Sequence, residues 1–139
     1  MINDRIFDME LIPSNFEIPL DIVTKNLASP MIAELISRKC WVGEMCKPID
    51  TGFQRTVIIR PELATHRILS WYIRDDNSIR GKIEMLKNKN ADDLITMDIN
   101  KLYLVPRGFV STGDKPTVNI VTFDFSSKPT VHVKNKEDL

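Results

Sequence analysis

The sequence predicts an α+β fold, in which an N-terminal helical segment and a central helix pack on a mainly antiparallel β-sheet from the C-terminal half. Three observations predict it. Residues 20–39 carry apolar side chains at helical spacing, interrupted by a Ser29-Pro30 start signal. Residues 61–74 repeat that spacing with Ala64, Ile68, Leu69 and Tyr72 behind Pro61-Glu62. Residues 93–133 are rich in β-branched and aromatic residues, broken by Gly, Pro and Ser clusters.

The 139 residues are 42% hydrophobic and 27% charged, enough to bury one core without disulfides or metals. A single domain over 1–139 is expected, with residues 1–18 an extended arm and 134–139 a frayed charged tail. Within the arm, Pro13 and Pro19 frame a short extended stretch. Ile6, Met9, Leu11 and Ile12 suit a strand lying across the body, or one that adds to a partner's sheet.

Leu20, Ile22, Val23 and Leu27 form the stripe of a first helix. Ser29 as N-cap and Pro30 at the first helical position open a second, whose stripe is Met31, Ile32, Leu35 and Ile36. The pair resembles a helix-turn-helix only in its break, since the turn has no glycine and no base-reading residues open the second helix. Thr56 to Ile59 is a strand core. Residues 61–74 are expected to be helical, with a rival β-hairpin pairing Ile68–Arg74 with Ile79–Leu86 across Asp75-Asp76-Asn77; residues 78–88 stay open between the two. Strands follow at Leu94–Ile99, Leu102–Val105 and Thr117–Phe125, the last turning back onto Thr130–Val133. An eleven-residue loop, Pro106 to Pro116, lies between them.

The enzyme templates fail one by one. Ser111-Thr112-Gly113-Asp114-Lys115-Pro116 has one glycine, and its lysine precedes a proline rather than a helix, so it is a turn and not a phosphate loop. Zinc would have to gather Cys40, Cys46, His66 and His132, but the five residues between the cysteines are too many for the usual knuckle and the histidines are far away in sequence. No G-x-S-x-G elbow occurs. Asp75-Asp76 and Asp92-Asp93 read as turn or cap residues. No metal, no cofactor and no catalytic residue is therefore expected, and the protein is more an accessory than an enzyme. Without a signal-peptide pattern, an Asn-x-Ser/Thr acceptor or a long apolar run, the expected location is cytoplasmic and away from membranes.

Charge is the remaining signal. Lys plus Arg and Asp plus Glu each number 19, for a net charge of zero. Residues 1–24 nevertheless hold Arg5 against Asp4, Asp8, Glu10, Glu17 and Asp21, and residues 51–90 hold twice as many bases as acids. Arg55, Arg60, Arg67, Arg74, Arg80 and Lys82 surround Trp71, and Arg60, Arg67 and Arg74 are seven apart. On a helix, Arg67 and Arg74 share a face that could grip phosphate, while Trp71 stacks on a base. The first expectation is thus a small regulatory protein that binds nucleic acid through this basic face. The alternative is a protein-interaction module, such as an inhibitor, immunity or assembly protein. It would act through the N-terminal arm and the 106–116 loop, with Arg107, Phe109 and Val110 as contacts, or through homo-oligomerisation.

Overall fold

The computed structural model describes residues 5–45, 59, 61–128 and 132–135. Its elements run β1 (Ile6–Ile12), α1 (Leu20–Leu27), α2 (Pro30–Ser37), β2 (Val42–Glu44), β3 (Ala64–Ile73), β4 (Ile79–Met85), α3 (Lys89–Thr96), β5 (Tyr103–Ser111), β6 (Thr117–Ser126) and β7 (His132–Asn135). The fold is α+β, and its sheets are mainly antiparallel. One sheet has the order β1-β4-β3-β2 and the other β6-β5-β7. Among the described strands only β7 runs parallel to its neighbour, β5.

The N-terminal helices form where their signals lie. The Ser29 hydroxyl accepts from the Ile32 N–H at 3.4 Å, and Pro30 opens α2. In α1, Val23 and Leu27, four apart, are buried. The Asn26 side chain then reaches the second sheet, accepting from the Ile120 N–H at 2.9 Å.

The central helix lies at Lys89–Thr96 and not at 61–74. Residues 64–73 form β3, paired with β4 as a hairpin. The run Thr65 to Ile73, with its β-branched and aromatic residues, favours a strand, and the turn seals the choice. Asn77 sits at φ 68°, a left-handed conformation that asparagine tolerates. Asp76 Oδ1 accepts from the Ser78 N–H at 2.9 Å and from its hydroxyl at 2.6 Å. Residues 94–96, expected in a strand, belong instead to α3. Asn88 caps that helix by accepting from the Ala91 N–H at 2.8 Å and ties it to β3 by donating to the Ala64 carbonyl at 2.9 Å.

Two further corrections concern the C-terminal half. Residues 106–111 continue β5 instead of opening a loop. A register shift between Arg107 and Gly108 absorbs the proline and glycine that read as breakers. A side chain at Gly108 would meet the Asn119 carbonyl oxygen at 2.1 Å, so this crossing needs glycine. Residues 132–135 pair with β5 and do not form a hairpin with β6. The strand expected at Thr56–Ile59 falls, except for Ile59, outside the described residues.

The core lies between the sheets, around Leu11, Trp41, Ile68, Ile83, Phe123 and Phe125. The sheets approach each other along β2 with β6 and along β1 with β5. No helix among the described residues is long and apolar enough to cross a membrane.

Candidate functional site

The outward face of the first sheet holds most of the expected basic residues. In β4, Ile79, Gly81, Ile83 and Met85 are buried while Arg80, Lys82 and Glu84 point away. Cross-strand pairing sets three outward rows: Glu10–Arg80–Tyr72, Asp8–Lys82–Ser70 and Ile6–Glu84–Arg67. A seven-residue step along a regular strand would put Arg67 and Arg74 on opposite faces. The register shift between Ile68 and Ser70 inserts one residue and reverses the parity. Arg67, Tyr72 and Arg74 thereby share a side, and the Arg74 charge reaches Asp8. Trp71 instead faces the core, on which it packs half-buried. Arg55 and Arg60 lie outside the described residues.

Acids interleave with these bases. Asp8 Oδ1 accepts from Arg80 Nε at 2.7 Å and Oδ2 from the Tyr72 hydroxyl at 2.8 Å. Partial burial disfavours the Asp8 anion, but the hydrogen bonds from Arg80 and Tyr72 outweigh it and hold the carboxyl below the usual range. The same contact with Asp8 raises Tyr72 and Arg80. Arg67 Nε lies 2.7 Å from Glu84 Oε1. Across the three rows, Glu10, Asp8 and Glu84 alternate with Arg80, Lys82 and Arg67, and Arg74 lies on the same side. Exposed pairs of this kind add little stability.

A second polar group lies inside, where β2 and β3 meet β5 and β6. Arg107 binds Asp124 through two contacts, Nη2–Oδ1 at 3.0 Å and Nε–Oδ2 at 2.9 Å, and Glu44 through Nη2–Oε2 at 3.0 Å. The Glu44 N–H also donates to Asp124 at 3.0 Å. Burial raises the Asp124 carboxyl, against the opposing pull of Arg107. Beside them His66, 0% exposed, donates from Nε2 to the Phe123 carbonyl at 2.8 Å. A carbonyl can only accept, so the proton sits on Nε2, and the unprotonated Nδ1 accepts from the Thr65 hydroxyl at 2.7 Å. Burial pushes His66 down from 6.5 to about 4, so it is neutral near pH 7. The ring also meets Phe125 edge-on at 4.5 Å. Gly43 makes this approach possible, because a Cβ there would lie 2.2 Å from the Phe123 carbonyl oxygen and 2.6 Å from His66 Nε2.

These contacts continue a polar seam between the sheets. Trp41 Nε1 donates to the Val121 carbonyl at 2.9 Å, and the Thr122 hydroxyl donates to the Val42 carbonyl at 2.7 Å. A general base must reach the proton it takes. His66 has both nitrogens engaged and no exposure, so this arrangement holds sheets together and offers no base to a substrate. The sequence marks His66 only as a candidate zinc ligand, not as a buried link between the sheets. The available signal was its position beside Thr65 in a strand-forming run.

Arg107, Phe109 and Val110, expected on an exposed loop, are 7%, 5% and 3% exposed within β5. Of the zinc candidates, Cys40 is exposed, His66 is enclosed, and Cys46 and the His132 side chain are outside what is described. Among the described residues no three His, Cys, Asp or Glu side chains could hold a metal ion together.

No family model matches the chain, and neither does any curated protein. Among solved structures it is similar to the bacteriophage T4 capsid assembly protease. The TM-score is 0.57 at 14% identity, covering 87% of this chain and 80% of that one. At that identity the likeness concerns the fold.

Proposed function

We propose that this chain is a non-catalytic protein-interaction module, acting by its surfaces in the assembly of a protein shell or its scaffold. The observation that carries the reading is the mixed charge on the outward face of the first sheet, where Asp8 and Glu84 pair with Arg80 and Arg67 and acids interleave with bases. Such a face suits the patterned charge of a protein partner better than the uniform negative charge of nucleic acid. The fold neighbour is a protease of capsid assembly. Assembly needs only surfaces, so it is the part of that description that transfers to this chain as a setting.

The test joins two measurements. Fluorescence anisotropy with mixed-sequence single- and double-stranded DNA and RNA, at low and physiological salt, should give no binding at physiological salt. Selection from a displayed random-peptide library should enrich ligands that hold at high salt and emerge uncut. Salt-sensitive nucleic-acid binding lost on Arg67→Glu with Arg74→Glu would overturn the reading in favour of the phosphate-gripping face. Cleavage of the selected peptides would overturn the non-catalytic part.

A further inference from the structure

Strand β1 stands at the edge of its sheet, with β4 on one side and no strand among the described residues on the other. Beside its second half lies a groove of about 310 Å³, bounded across by the start of β5. Met9, Leu11, Tyr103 and Pro106 give it apolar walls, and Glu10 is the one ionisable acid or base on its lining apart from the Tyr103 phenol. Tyr103 is 47% exposed on the rim. Asp8 is taken up by Arg80 and Tyr72, whereas Glu10 has no ion-pair partner among the described residues.

We infer that the open edge of β1 and this groove receive an extended segment of a protein partner in which apolar residues alternate with lysine or arginine. The inference rests on the interaction reading proposed above and names its site. Strand addition uses the unpaired main-chain groups of an edge, and alternate side chains then fall to opposite faces. One set enters the apolar groove. A cation in the other set meets Glu10, in a part of the chain where Arg5 is the only base among residues 1–24 against five acids. A second copy's β1 is not the occupant, because that strand carries Asp8 and Glu10 and no lysine or arginine to meet Glu10.

The experiment uses the full chain and three labelled seven-residue peptides: alternating valine and lysine, alternating valine and glutamate, and the lysine peptide N-methylated at alternate residues. Anisotropy should show the lysine peptide binding about tenfold tighter than the other two. Hydrogen exchange should slow at the amides of β1 and not at those of β2. Glu10→Lys, an exposed substitution that leaves the fold intact, should weaken the lysine peptide about threefold or more. Equal binding of the lysine and glutamate peptides, or of the N-methylated and unmodified ones, would overturn the inference. If library-selected ligands bind and leave β1 exchange unchanged, this site is refuted while the interaction reading stands. If no peptide binds and nucleic acid does, the reading itself has failed.

Discussion

His66 makes the stability of the protein depend on pH in a direction and by an amount that can be worked out. The ring is buried and neutral in the folded chain and exposed in the unfolded one. Its pKa therefore falls from 6.5 to about 4 on folding, and the unfolded state binds more protons between those values. Stability from this group is present above 6.5 and is lost as pH falls through about 4. At about 1.4 kcal/mol per unit, the loss from neutral pH to pH 4 totals about 3 kcal/mol. Asp124 acts in the opposite sense. Its folded pKa is raised, so its contribution is fully present below the unfolded value and declines as pH rises through the folded one. Comparing the wild type with His66→Gln separates the two, because glutamine keeps a donor for the Phe123 carbonyl and cannot titrate. Urea unfolding at several pH values should give a wild-type stability that falls toward pH 4 by about 3 kcal/mol more than that of the variant. Parallel pH profiles for the two proteins, or an imidazole seen by NMR to titrate near 6.5, would refute the burial argument.

Three other substitutions probe the interior by chemical denaturation. Arg107→Leu strands the Glu44 and Asp124 carboxylates and should cost about 3–5 kcal/mol; a loss below about 1 kcal/mol would mean that water reaches the cluster. Gly43→Ala drives a methyl group into the Phe123 carbonyl and the His66 ring, and should cost about 1–3 kcal/mol, read as a lower urea midpoint at unchanged slope. Phe109→Asp, a surface probe if 106–116 were a loop, should instead unfold the chain or lower its melting temperature steeply, because it buries an unpaired carboxylate; a normally folded variant would contradict the burial of β5.

The parts legible in the sequence are those with a local cause. Ser29-Pro30 announced α2 because a cap and a first-turn proline act within four residues. The Thr117–Phe125 strand was legible from its side chains alone. Residues 61–74 misled because Ala64, Ile68, Leu69 and Tyr72 fit a helical period; what decides the strand is pairing with β4 and an Asx turn that a helical template cannot see. The arginines did gather on one side, though through a bulge near Leu69 rather than a helix turn. Their neutralisation was hidden, because Asp8 reaches Arg80 from 72 residues away. Nor could spacing reveal the Glu44–Arg107 contact, which joins residues 63 apart.

The seam between the sheets also implies an order of events during folding. The described strands of the first sheet lie within residues 6–85, and those of the second within residues 103–135. The bonds from Trp41 to Val121, from Thr122 to Val42 and from Glu44 to Asp124 each join residues 80 apart, so they close long loops and carry the entropy cost of doing so. As the chain emerges from the ribosome, the first hairpins can form while Glu44 and His66 still face water. The docking of β6 then turns both from surface residues into the interior of a closed body.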